Sequence, residues 1–252
     1  MKVCLSFDDG RDDTFKYAFP IIKKHNLTAS FHVTTGFIDG TYRGNDFSSL
    51  RRPVTIQNLL EMSNYGIEIS SHGDKHITDC SDFKNSFFKL NNWGVVTNSC
   101  GFSVPSSNFT DDSLSDFVNC NAEVIKYVRV GRSKKCYSIL NKINYFLYRF
   151  FKWQIPYNSF NKPNLIFDIN KEKYHLSSLV VLNYTKAKTI IRFLKKHKDD
   201  NCLLIIMLHS ILPSASSRWE WPTQEFDELC SYLSNEKQII CTTIEEVVSS
   251  YE

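Results

Sequence analysis

The sequence predicts an α/β protein whose parallel sheet closes into a β/α barrel, and three observations predict it. Short apolar runs alternate with helix-period segments from end to end, the pattern of repeated strand–helix units. At 252 residues the chain has the length of one such barrel. Residues able to do chemistry recur just past the apolar runs, at Asp8-Asp9, His72/His76, Pro105, Arg129/Arg132 and His209. Barrel sites gather where the strands end, so this shared placement argues for one site. No repeat or linker divides the chain, and a single domain over 1–252 is expected.

The elements follow in order. Lys2 to Phe7 is a buried strand that runs into Asp8-Asp9-Gly10. Thr14 to Lys24 has helical apolar spacing and a cationic end, with Pro20 marking a kink or a late start. Ala29 to Thr34 is a strand and Thr35 to Gly40 a loop, and the Gly-, Asn-, Ser- and Arg-rich 39–52 segment extends it as an exposed loop. Thr55 caps a helix from Ile56 to Tyr65 that stops at Gly66. Ile67 to Ser70 is a strand delivering Ser71-His72-Gly73-Asp74-Lys75-His76.

Beyond it lie a Phe-rich helix from Ser81 to Leu90, a strand and polar turn over Cys100 to Asn108, and a helix from Asp111 to Cys120. Tyr127 to Arg132 reads as a strand ending in a basic turn. A basic, aromatic insertion at about 134–161 carries Ile139, Ile143, Phe146, Leu147 and Phe150 at helical spacing among lysines and arginines. Its 134–152 part packs on the domain or touches a membrane surface peripherally. A strand at Leu176 to Val181, a helix at Lys186 to His197 and a buried strand at Cys202 to Leu208 place His209 at a tip. A helix at Gln224 to Leu233, a strand at Gln238 to Thr242 and a Thr243-capped helix close the chain.

Composition narrows the function classes. With 42% hydrophobic and 23% charged residues the chain is a soluble globular type. A formal charge of +3 is too small to make nucleic acid the main partner. No run reaches the roughly 20 apolar residues of a membrane-spanning helix. A strand begins at position 2 where a secretory leader would sit, so a cytoplasmic location is expected, at the inner membrane face if the 134–152 stretch docks there. The eight cysteines show no close Cys-x2-Cys pairing, and Cys4, Cys202 and Cys241 lie in apolar segments, which fits reduced core thiols.

Two adjacent carboxylates at a strand end repel each other unless a positive charge, usually a metal, holds one ionised. A catalytic Zn²⁺ site takes three protein ligands and keeps a position open for water, and Asp9, His72 and His76 would supply those three. His at i and i+4 share a helix face, but Gly73 leaves a short turn open as the alternative. Water attack then needs a base and an acid, for which Asp8 and His209 are the candidates.

With these residues assembled, the sequence resembles the polysaccharide deacetylases, the carbohydrate esterase family 4 or NodB-homology group, over essentially its whole length. Ser6-Phe7-Asp8-Asp9-Gly10 is similar to the first family motif, Thr-Phe-Asp-Asp-Gly. The His72–His76 stretch is similar to the second, His-Ser/Thr-x-x-His, and Leu208-His209-Ser210-Ile211 to the fifth. The resemblance implies a distorted (β/α)7-type barrel and one divalent metal, Zn²⁺ or alternatively Co²⁺, at Asp9, His72 and His76. It implies Asp8 as general base, His209 as general acid, and removal of N-acetyl groups from an amino sugar of a glycan or glycan precursor.

Two motifs depart from the family. Where Arg-x-Pro-Tyr is expected the chain has Ser103-Val104-Pro105-Ser106, so the arginine that pairs with the base and the aromatic that walls the groove are absent. Pro105 and Ser106 are kept as substrate-side candidates through their backbone, and Arg129 or Arg132 as the replacement cation. The fourth motif is not recognisable. These departures support an alternative in which a weakened site makes the chain a glycan-binding module. An aspartyl phosphohydrolase would need Asp-x-Asp spacing and would have no use for the histidines. The expected partner is an N-acetylated amino sugar, nucleotide- or lipid-linked.

Overall fold

The computed structural model describes residues 1–44, 52–131 and 165–251. The 134–161 insertion, Arg132 and residues 45–51 of the 39–52 loop lie outside them.

A parallel sheet organises the chain. Strand β1 (Lys2–Phe7) lies at its centre, and β2 (Ser30–Val33), β3 (Glu68–Ser71), β4 (Cys100–Ser103) and β5 (Ile125–Val130) follow on one side in sequence order. On the other side β1 pairs with β9 (Leu203–Leu208) over its full length, Lys2 opposite Leu203 and Phe7 opposite Leu208. The sheet curls back on itself. A short strand β7 (Leu176–Ser177) pairs with β5, and β8 (Leu179–Val180) pairs with β9. Taken as one irregular strand, this stretch closes a distorted barrel as expected from the sequence. Leu165–Ile166 (β6) adds an antiparallel edge on β9, and Ile240–Cys241 (β12) extends β1.

The period-2 pattern explains why the barrel forms and what fills it. In β1 the outward residues Val3, Leu5 and Phe7 pack under the surrounding helices, with Phe31 of β2 stacked 4.5 Å from Phe7. The inward series Cys4, Ser6, Asp8 grows more polar toward the strand end. The same holds for Ser30 and His32 in β2 and for Tyr127 and Arg129 in β5, all buried. At the N-terminal end of the strands an apolar plug closes the interior: Cys4, Leu203 and Ile205 meet Ile244, Val247 and Val248 of the last helix, α9 (Ile244–Ser249).

Above that plug runs a buried polar column. The Glu68 carboxylate accepts from Ser30 Oγ (2.5 Å), Ser70 Oγ (2.8 Å), the Glu245 amide (3.0 Å) and the Tyr127 hydroxyl. Having spent its proton on Glu68, Tyr127 accepts from Nε2–H of His32, 2.9 Å away. Gly101 makes room for this ring, since a Cβ there would sit 2.0 Å from Tyr127 Cζ.

The helices largely follow the sequence reading. Thr55 caps α3 (Ile56–Tyr65), Thr243 caps α9, and Gly66 ends α3 in the left-handed conformation. The Thr14-to-Lys24 segment splits as Pro20 requires, a π-helical turn over Thr14–Ala18 leading into α1 (Phe19–Lys24). Thr35–Asp39, expected as a loop, is a short helix (α2) that stops at left-handed Gly40. Arg129, expected at a strand end, lies inside β5. Helix α4 (Cys80–Asn92) precedes β4, and α5 (Asp111–Cys120) precedes β5. Helices α6 (Ile169–Glu172), α7 (Ala187–His197) and α8 (Thr223–Asn235) complete the set. Past β9 a small parallel pair forms from β10 (Ser210–Leu212) and β11 (Glu220–Pro222). Among the described residues no helix is long and apolar enough to cross a membrane, and the seven described cysteines are unpaired thiols.

Candidate active site

The turn after β1 separates its two carboxylates by direction. Asp8 continues the inward series, whereas Asp9 takes a left-handed backbone (φ 79°) that Asp tolerates better than most residues. Its side chain therefore points at the end of β3. Gly10 follows, also left-handed, where a Cβ would meet Val33 at 3.1 Å.

His72 and His76 ride a turn rather than a helix. The turn is held from below by Asp82 at the start of α4, whose carboxylate accepts from the amides of Asp74 (2.8 Å) and Lys75 (2.9 Å). Gly73 is required there, since a Cβ would lie 2.6 Å from Asp82 Oδ2. His76, like Asp9, is left-handed (φ 58°). Such backbone strain outside glycine collects at functional sites, where the surroundings over-determine it.

Asp9, His72 and His76 meet at one point, with their ligand atoms within 4.8 Å of one another. Asp9 Oδ1 lies 3.6 Å from His72 Nε2 and 3.8 Å from His76 Nε2, and the two Nε2 atoms are 3.1 Å apart. Donors held 2.0–2.2 Å from a common ion stand about 3–3.5 Å from one another, so the group fits a divalent cation. The chemistry of the set agrees. His72 Nδ1 lies 2.8 Å from the Ser103 carbonyl, which only accepts, so Nδ1 carries the proton and Nε2 offers its lone pair to the cluster. Burial keeps His72 neutral by lowering its pKa, against the pull of Asp8 and Asp9.

Asp8 is buried beside this cluster. Its Oδ1 accepts from the Arg129 guanidinium in a short contact and from Ser103 Oγ at 3.2 Å, and Arg129 Nη2 also reaches Ser103 Oγ. Arg129 Nη1 points at Met207 Sδ, 2.7 Å away. Burial works to raise the Asp8 pKa, but Arg129, followed by His72, His209 and His32, holds it well below the usual carboxylate range. Asp9 is lowered against burial in the same way, chiefly by Arg11, whose Nη2 is 2.6 Å from Asp9 Oδ2.

His209, just past β9, tilts against the half-exposed Trp219 ring, centroids 4.5 Å apart. Burial lowers its pKa, opposed by Asp9 and Asp8, and its Nδ1 is enclosed without a hydrogen-bond partner. Pro105 is buried, while Ser106 and Ser107 form a left-handed pair (φ 54° and 50°) fixed by the Gly131 amide on Ser107 Oγ at 3.0 Å. The structure thus brings Asp8, Asp9, His72, His76, Arg129 and His209 to one end of the barrel. Arg11, Ser103, His32 and Trp219 join them without having been singled out in the sequence. Arg11 carried a faint signal, a cation within three residues of paired carboxylates.

Residues 1–124 match the protein family described as "Polysaccharide deacetylase". Over that stretch, just under half of its length, the chain matches the polysaccharide deacetylase family. Its match to a curated relative, the Bacillus subtilis polysaccharide deacetylase homologue YxkH, is 31% identical over 75 residues, 30% of this chain and 23% of that protein. The chain therefore spans under a quarter of that relative's length. Among solved structures it is similar to a family 4 acetyl xylan esterase from Clostridium thermocellum in complex with a cobalt ion (15% identity, 99% of this chain and 91% of that one, TM-score 0.53). It is also similar to the Xyl-CE4 domain of a xylanase from the hindgut metagenome of Trinervitermes trinervoides (13%, 99% and 90%, TM-score 0.55). A third likeness is to the peptidoglycan deacetylase PdaC of Bacillus subtilis (13%, 99% and 91%, TM-score 0.51). At these identities the deacetylase likeness is one of fold, and it extends over the C-terminal half that the family match leaves out.

Proposed function

We propose that this chain is a polysaccharide deacetylase, a metal-dependent hydrolase that removes N-acetyl groups from an amino sugar. The observation that carries the reading is the Arg129–Asp8 pair. The family arginine is missing from the Ser103–Ser106 segment, yet a guanidinium from β5 reaches the same carboxylate that the family uses as base. A glycan-binding module would have no need to keep a base ionised in a dry site, which weighs against the alternative.

Asp9, His72 and His76 would hold the cation, Zn²⁺ or Co²⁺. When bound, it supplies Lewis acidity, lowering the pKa of a water and polarising the acyl oxygen. Asp8, kept anionic by Arg129 and oriented by Ser103, takes the proton of the attacking water. The water oxygen bonds to the acyl carbon, the C–N bond breaks, and His209 delivers a proton to the departing nitrogen, leaving acetate and a free amine. The backbone amide after Pro105 would serve the developing oxyanion, as the family resemblance implies. Trp219 shields one side of His209 from water.

Acetate release from free, nucleotide-linked and lipid-linked N-acetyl sugars tests the reading. At least one should be hydrolysed, and Asp8→Asn should lower turnover by about 10²–10⁴, the usual worth of a general base. Equal rates for Asp8→Asn and wild type would overturn the assignment. Sugar binding without release from any substrate would favour the glycan-binding alternative.

A further inference from the structure

Arg11 is a buried cation that this mechanism leaves unused. It is 7% exposed, and its guanidinium cannot shed its proton, so it must be paired where it lies. Its two terminal nitrogens are committed to two different strand ends. Nη2 pairs with Asp9 Oδ2 at 2.6 Å, and Nη1 donates to Ser210 Oγ at 3.0 Å, the residue after His209. The main chain around it is fixed as well: Arg11 bridges Pro53, the Asp12 amide donates to the Arg52 carbonyl (2.9 Å), and the Val54 amide to that of Gly10 (2.9 Å).

The consequence lies in how the Asp9 oxygens are divided. Oδ2 is taken by Arg11, while Oδ1 faces both histidine Nε2 atoms at 3.6 and 3.8 Å. We propose that Arg11 is a positioning residue for the cation site: it occupies Oδ2 so that Asp9 offers Oδ1 alone, and through Ser210 it ties that ligand to the strand end carrying His209. The inference rests on the reading of Asp9, His72 and His76 as metal ligands. Arg11 also carries a cost, since a guanidinium sharing the carboxylate repels the incoming cation. Orientation must outweigh that repulsion for the proposal to hold, and the two effects have opposite signs.

That opposition gives the test. Zn²⁺ alone is titrated calorimetrically into the full-length metal-free protein, with thermal unfolding of the same samples as the control for folding. Arg11→Met, which keeps volume and removes both contacts, is expected to weaken Zn²⁺ binding tenfold or more, the usual penalty for losing a partner of a metal ligand. Arg11→Lys, with a charge but no fork, is expected to recover part of that loss. Ser210→Ala keeps every charge and cuts only the tether, so it stays informative if the Met variant unfolds; it is expected to weaken binding severalfold. Unchanged or tighter Zn²⁺ binding in a folded Arg11→Met or Ser210→Ala protein would overturn the proposal. If wild type itself bound no Zn²⁺, the metal reading beneath it would fall instead.

Discussion

Replacing Arg129 by Met should turn Asp8 from a stabilising into a destabilising group, with a pH dependence that identifies it. Arg129 is fully enclosed and Asp8 is 3% exposed, so water cannot take over the vacated contact. In the wild type, burial pushes the Asp8 carboxyl up, but Arg129 and then the neighbouring histidines bring it well below its ordinary range. A carboxyl lowered in the folded state adds stability above its unfolded pKa of about 3.9 and loses it as pH falls through the folded value. That contribution is therefore complete at neutral pH and disappears only in strong acid. Without the guanidinium, desolvation dominates and the folded pKa rises above about 3.9, so the anion costs stability at higher pH until a proton is taken up.

Breaking a buried pair by removing one partner costs about 3–5 kcal/mol. The Met variant should show a deficit of that order at pH 8, shrinking as pH falls through the raised Asp8 pKa toward about 4. Urea unfolding of both proteins at several pH values, with chelator present throughout, measures the difference directly. Adding Asp8→Asn to the Met variant should recover much of the loss, because no unpaired charge then remains. A deficit of the same size at every pH, with no recovery in the double variant, would refute the electrostatic account and leave Arg129 as a packing residue.

Two further outcomes follow from the same geometry. Gly101→Ala places a Cβ 2.0 Å from the Tyr127 ring, which is pinned by Glu68 and His32, and should lower stability by about 1–3 kcal/mol in thermal or denaturant unfolding. His209→Gln should reduce kcat by about 10²–10⁴ while leaving Zn²⁺ affinity within a factor of a few, a split that separates an acid from a ligand.

The sequence carried the architecture because it rests on local signals. Each strand with its neighbouring helix, the caps at Thr55 and Thr243, and the i, i+4 spacing of His72 and His76 can each be read within a few residues, whereas Asp9 lies far from both histidines in the sequence. What it did not carry depends on which way a strand faces. Arg129 sits between Val128 and Val130, and a cation in a buried strand looks like a strand end because an unpaired one would be costly. Its partner Asp8 is 121 residues away, and only closure of the barrel brings them together. The polar column follows the same logic: Ser6, His32, Glu68 and Tyr127 read singly as polar interruptions of apolar strands, yet the alternation turns each of them inward. The barrel's closing strand was legible only as one run, Leu176 to Val181, because its two halves pair with different neighbours. The helix at Thr35–Asp39 was hidden by Gly36 and Gly40, which read as loop residues. Gly36 stays in the helix because Asp74 and Tyr42 crowd its Cα, leaving no space for a side chain.

The central claim is that Asp9, His72 and His76 hold a cation on which hydrolysis depends. The direct measurement is acetate release from an N-acetylated amino sugar by the protein before chelation, after chelation, and after Zn²⁺ or Co²⁺ is returned. The account predicts that activity is lost with the metal and restored with it, and that His72→Ala, unable to rebind the ion, is not rescued. Hydrolysis that persists unchanged in the chelated protein would contradict it.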